Sequence, residues 1–92
     1  MEESRIETRL RNKAKNLGGL ALKLTVPGKN GMPDRIILLP GGQVRFVELK
    51  KPGGKLEKLQ RKRAKMLRAM GFKVYCLDSN QAVDKFVREV FE

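Results

Sequence analysis

The stretch GMPDRIILLPGGQVRFVELKKPGG, Gly31 to Gly54, holds two apolar runs. Ile36-Ile37-Leu38-Leu39 and Val44-Arg45-Phe46-Val47 are joined by Pro40-Gly41-Gly42, a hairpin-length loop with glycine available for positive φ. If Leu39 lies opposite Gln43, Ile37 faces Arg45 and Asp34 faces Glu48. Directly opposed residues of an antiparallel pair point to one face, with Cβ atoms ~4.5–5.5 Å apart. Lys50 is two residues beyond Glu48 and projects from the same face, ~7 Å further along. In a hairpin without a bulge, this register predicts two carboxylates and one amine converging at one end of a sheet.

Such a cluster has a chemistry. Two close carboxylates repel and raise each other's pKa. A divalent cation between them relieves that, and Asp and Glu oxygens suit Mg²⁺ or Mn²⁺, which take further ligands from water and phosphate. Asp34 and Glu48 are therefore candidate metal ligands, with the backbone carbonyl of Leu49 as another. Lys50 is placed to act on an attacking water or on phosphate charge. The plainer alternative has Asp34 capping a strand, Glu48 paired with Lys50, and all three solvated. It accounts for each residue singly but not for their convergence.

The rest of the composition narrows the choice. The 92 residues amount to a single domain, 1–92, with one modest core. Lys and Arg number 21 against 10 Asp and Glu, a formal charge of +11, which implies a polyanionic partner and nucleic acid first. No apolar run approaches a membrane span, and the acidic start MEESRIETRL is not a secretory signal. A reducing cytoplasm fits the lone Cys76, which the apolar run FKVYCL marks as core. With no histidine and one cysteine, His-dependent nucleophile systems and zinc fingers are excluded. No P-loop motif is present. Catalysis, if any, rests on carboxylates, lysine and a hard metal ion.

Periodicity lays out the elements. Glu2–Leu17 reads as a helix through Ile6, Leu10, Ala14 and Leu17, with a Ser4/Glu7 capping box and a Gly18-Gly19 stop. Leu20–Val26 alternates as a strand. Strands follow at about Asp34–Leu39 and Gln43–Lys50, and a helix over Leu56–Met70 with a stripe of Leu56, Leu59, Met66, Leu67 and Met70. Phe72–Leu77 is a fourth strand. Ser79 is the expected cap of a last helix carrying Val83, Phe86, Val87, Val90 and Phe91. The order is α-β-β-β-α-β-α, an α/β fold. The middle strands are apolar on both faces, so the sheet should be covered on both sides. The helical crossover makes the third and fourth strands parallel.

Pro33-Asp34, then thirteen residues, then Glu48-Leu49-Lys50 resembles the PD-(D/E)XK nuclease signature. More narrowly, IETRL, GMPDRIIL, VRFVELKKPGGKLEKLQ and MGFKVYCL resemble the VRR-NUC family, especially its small standalone phage and bacterial members. The resemblance implies a restriction-endonuclease-like αβββαβ core, a mixed four-stranded sheet flanked by helices, plus a C-terminal helix. It implies a Mg²⁺- or Mn²⁺-dependent DNA endonuclease in the cytoplasm of a bacterial or phage-infected cell, a homodimer, with four-way (Holliday) junctions among the substrates. Carried over by position, Asp34 and Glu48 are metal ligands and Lys50 the catalytic lysine. Glu7 is the acidic residue of the first helix, a further candidate ligand, and Gln60 the glutamine after the motif. Gln60 falls inside an apolar stripe, where a polar side chain needs a partner. That partner is either nearby backbone, or Lys50 or a metal-site water.

Positive charge concentrates after the motif. Lys50, Lys51, Lys55, Lys58, Arg61, Lys62, Arg63, Lys65 and Arg68 meet only Glu57, so internal pairing cannot absorb them. With Lys29 in the loop Pro27–Met32, this run is the expected DNA-backbone contact. Arg63 lies in the stripe and either snorkels or reaches phosphate. The few aromatics argue against a single-strand stacking platform. The rival class is a non-catalytic basic binder, architectural or ribosome-associated, which explains the charge but not the acid–acid–lysine cluster.

Overall fold

The computed structural model describes residues 3–91. Three helices and four strands follow in the order α1 (Glu3–Asn16), β1 (Leu20–Lys23), β2 (Arg35–Leu39), β3 (Gln43–Leu49), α2 (Lys58–Ala69), β4 (Val74–Leu77) and α3 (Asn80–Phe91). The strands form one mixed sheet in the order β1-β2-β3-β4. The first two pairings are antiparallel and β3–β4 is parallel. The hairpin register is the expected one, Leu39↔Gln43 through Ile37↔Arg45 to Arg35↔Val47. Asp34 directly precedes the last pair and Glu48 directly follows it.

Strand parity then sorts the side chains. Ile37, Leu39, Val47 and Leu49 join Ile6, Leu10 and Ala14 of α1 and Val83, Phe86 and Val87 of α3 in the larger core. Phe46, with Ile36 and Val44 packed beside it, faces Ala64 and Leu67 of α2 and Val74 of β4 in a smaller core. The sheet is thus covered on both faces, unequally. Only Ala64 and Leu67 of α2 are buried, and Leu59 and Met70 of the expected stripe are exposed. Leu20, Leu22 and Leu38 stay exposed where α2 does not reach.

The termini of the elements depart from the sequence reading for physical reasons. Ser4 is not a cap. It lies inside α1, its carbonyl accepting the Thr8 hydroxyl, and Glu7 has a tertiary partner instead. The expected helix start at Glu2 lies outside the described residues. β1 stops at Lys23, though the Leu24 amide still donates to the Asp34 carbonyl at 2.8 Å. Val74, not Phe72, opens β4, and Phe72 packs edge-on against Phe46. Cys76 is exposed rather than core. It sits on an edge strand beside Glu48, on the α2 side of the sheet. Ser79 does cap α3, its Oγ accepting the Ala82 amide at 3.0 Å.

Two glycines allow close passage. A Cβ on Gly19 would meet the Leu38 carbonyl at 2.5 Å and the Phe91 ring at 2.9 Å. One on Gly31, at φ +84°, would meet Leu59 at 2.6 Å, so Gly31 lets the loop before Asp34 lie against α2. Arg63 ties the same loop down, its Nε donating to the Asn30 carbonyl at 2.9 Å.

All three helices begin at the end of the sheet where β3 finishes. Glu7 near the start of α1 meets Arg35, Gln60 in the first turn of α2 meets Glu48, and α3 follows β4, whose Leu77 pairs with Leu49. α1 and α3 therefore run side by side in one direction. Arg9 clamps them, its Nε and Nη2 donating to Asp84 at 2.8 and 2.9 Å, with Lys13 at 3.5 Å.

Two tests follow from this packing. Ile37 is fully buried in the larger core, so Ile37→Ala should cost about 2–5 kcal/mol in urea unfolding. The Arg9 hydrogen bonds hold the Asp84 carboxyl at about 2. Its stabilisation is present above the unfolded carboxylate value near ~3.9 and is lost as pH falls toward 2. Asp84→Asn should flatten the stability-versus-pH curve in that window.

Candidate active site

The site is assembled from the end of β3, the residue before β2 and the first turn of α2. Glu48 is 7% exposed, a depth at which a carboxylate requires partners. Gln60 Nε2 donates to its Oε2 at 3.2 Å, and Lys50 Nζ lies 3.8 Å from the same oxygen. Lys50 shares the strand parity of Glu48. Asp34 approaches differently. Its Oδ1 accepts the Leu49 amide at 3.1 Å, so the carboxylate caps the β3 backbone where the β2 ladder ends.

Gln60 resolves both alternatives posed by its place in the stripe. Its Oε1 accepts the Glu57 amide at 2.8 Å in a reciprocal capping box that starts α2. An amide N–H demands the oxygen, so the NH₂ end is turned toward Glu48. Its charged partner is thus Glu48 and not Lys50. The residue that begins the helix also orients the buried acid.

Glu7 stands on the other face of the sheet. Its carboxylate is ion-paired with the guanidinium of Arg35. Ser4, Glu7, Lys23, Asp34, Arg35 and Leu49 line a cavity of about 340 Å³. Asp34 is therefore the hinge of the constellation, with Glu7 and Arg35 on the α1 side and Glu48, Lys50 and Gln60 on the α2 side. Sequence reasoning gave no role to Arg35 or Lys23. The signal for Arg35 was available, because it shares the parity of Ile37 and Leu39, and a cation on a buried face needs an acid.

The donor set bears on whether a cation fits. Among the described residues no three acidic or cysteine side chains gather into a ready-made cage. What the sheet end offers is two carboxylates and the Leu49 carbonyl, all hard oxygens, a partial shell of the kind Mg²⁺ or Mn²⁺ completes with water and phosphate. The local field is consistent with that. The neighbouring Cys76, exposed as a residue but with its sulfur partly desolvated against the sheet, has its thiol pushed up by that desolvation first, then by the negative charge of Glu48, Asp78 and Asp34, with Lys50 opposing.

Of the cations expected to meet DNA, Lys29, Lys51, Lys55, Lys58, Arg61, Lys62 and Lys65 are exposed and Arg63 half-buried. Arg61 also donates to the Leu56 carbonyl at 2.7 Å, and Arg63 holds the loop at Asn30.

The family model of the VRR-NUC domain matches residues 2–81, from α1 into the first turn of α3. The chain belongs to the VRR-NUC family. A solved VRR-NUC domain superposes with a TM-score of 0.90 at 31% identity, over 96% of each chain. A phage protein bearing the name "Putative nuclease p44", from Acyrthosiphon pisum secondary endosymbiont phage 1, is 40% identical over 79 residues. That is 86% of this chain and 85% of the relative. The mixed sheet and three helices of this chain are those of the VRR-NUC fold.

The dual bonding of Gln60 gives a separable test. Gln60→Leu keeps the bulk but removes the amide–backbone bond and the donor to Glu48. It should cost about 1–3 kcal/mol in chemical denaturation, whereas Lys62→Leu, two residues on at an exposed position, should change stability by less than about 0.5 kcal/mol.

Proposed function

We propose that this VRR-NUC nuclease is a divalent-metal-dependent DNA endonuclease that hydrolyses phosphodiester bonds at the β3 end of the sheet. The observation that carries the reading is the meeting of Asp34, Glu48 and Lys50 at one sheet end, with Gln60 holding the buried acid.

In this reading Asp34, Glu48 and the Leu49 carbonyl hold Mg²⁺ or Mn²⁺, with Glu7 able to join once released from Arg35. When bound, the ion supplies Lewis-acid stabilisation of charge on the scissile phosphate. The chain's own groups do the rest. Lys50 Nζ, kept near Glu48, is a hydrogen-bond donor that orients the attacking water or accommodates negative charge as phosphorus becomes five-coordinate. The Leu49 amide fixes the rotamer of Asp34. Gln60 keeps Glu48 from turning toward solvent, which is the positioning that a proximity mechanism needs. The three helix N-termini gathered at this end add positive partial charge where the phosphate would lie. The exposed cations of α2 and the preceding loop would grip the backbone without reading sequence. Homodimerisation, with two sites acting on a branched or four-way junction, belongs to the same proposal. Light scattering tests the dimer.

The test is cleavage of duplex and four-way-junction DNA with Mg²⁺, Mn²⁺ or EDTA. Wild type should cut with metal and stop in EDTA. Asp34→Asn should lose roughly two or more orders of magnitude in rate while binding DNA as well or better, because one negative charge near phosphate is gone. Equal rates for wild type and Asp34→Asn would overturn the assignment.

A further inference from the structure

The expected nucleic-acid contacts all lie on the α2 side of the sheet or in the loops beside it. The opposite face carries a cationic feature that the sequence reading passed over. Between α1 and the start of α3 runs a groove of about 570 Å³, lined by Arg5, Arg9, Lys13, Asn12, Asn80 and Ser4 among others. Ser4 also lines the cavity that contains Asp34 and Glu7, so the groove and that cavity adjoin at Ser4.

Among the described residues its charge is only partly offset. Three cations line it, and the carboxylate that meets them is Asp84, which pairs with Arg9 and reaches Lys13. Glu7, in the adjoining cavity, is engaged by Arg35. Over the described residues the lining keeps a surplus of about two positive charges, counting each group at its neutral-pH charge. The helices add to it, because α1 and α3 run in the same direction with both positive ends at the catalytic end.

Spacing separates a strand from a single small anion. Arg5 and Lys13 lie eight residues apart along α1, a rise of ~12 Å. That is comparable to two phosphate steps of an extended strand, and the row leads away from the site. Asn12, Thr8 and Asn80 supply neutral donors between the charges, the residue mix of phosphate-and-sugar contacts.

We propose that the α1–α3 groove is a second track for the phosphodiester backbone of the nuclease's substrate. The polynucleotide crosses the β3 end of the sheet and is held on both faces, by α2 on one side and by Arg5 and Lys13 on the other. This rests on the nuclease reading above. Arg9 is largely committed to Asp84 and acts as the groove's floor.

The test measures binding to duplex and four-way-junction DNA by fluorescence anisotropy across a salt series, in an Asp34→Asn background that does not cut. Arg5→Ala with Lys13→Ala should weaken binding roughly tenfold near 0.1 M salt and reduce the slope of log K against log salt by about 1.8, two phosphates' worth. Arg5→Glu alone should weaken it further than Arg5→Ala. It touches no intramolecular bond among those described, so it serves if the double variant unfolds. The charge-matched control Lys85→Ala with Arg88→Ala, exposed on α3, should change binding and slope less. Binding and slope in the Arg5 and Lys13 variants equal to the control, with wild type still cutting DNA, would overturn the track and leave the nuclease standing. A wild type that neither binds nor cuts nucleic acid would overturn both.

Discussion

The antiparallel register of β2 on β3 governs the rest of the molecule. Side chains alternate along a strand, so a slip of one residue would send Val47 and Leu49 toward α2 and turn Phe46 and Glu48 into the larger core. Leu49 is 2% exposed and Val47 fully buried, and the residues that α1 and α3 bury against them are apolar. Apolar burial on one face thus enforces the position of a charged residue on the other. Loop Pro40-Gly41-Gly42, with both glycines at positive φ, makes the register closable. Once it is set, Asp34 falls where β2 runs out and its carboxylate can cap the Leu49 amide.

The bonds that hold the fold together at this end of the sheet also fix the side chains of the candidate site. Gln60 begins α2 and pins Glu48. Arg35 fills a buried position on β2 and engages Glu7. Gly31 lets the loop before Asp34 pack on Leu59, and Arg63 fastens that loop from α2. Each contact would be an ordinary structural feature elsewhere. Here they hold acids and an amine in fixed directions, and such preorganisation is worth more than proximity alone.

The two sides of the sheet are unlike in strength. The α1–α3 side carries the deep core and the Arg9–Asp84 clamp, while α2 contributes two buried residues and a surface rich in Lys and Arg. A helix with so little apolar anchorage depends on its cap and on the sheet contacts of Ala64 and Leu67. That makes the Glu57–Gln60 capping box more consequential for α2 than any single cap is for α3, whose apolar stripe already secures it.

The sequence by itself determined the element order, the hairpin register and the placement of Asp34, Glu48 and Lys50 at one end of the sheet, because these follow from strand periodicity and a glycine turn, both local. It also indicated that Gln60 needed a partner, from its place in an apolar stripe. Only tertiary structure decided which partner that was, since an amide flanked by a helix start and a carboxylate satisfies both ends at once. Tertiary structure likewise moved Cys76 from core to surface, because an edge strand's burial depends on how far the neighbouring helix extends. It gave Glu7 to Arg35 in place of Ser4, because a buried guanidinium needs a charge more than a helix start needs a cap. It also brought α1 and α3 together in parallel, setting the Arg5, Arg9 and Lys13 row of α1 beside Asn80 of α3.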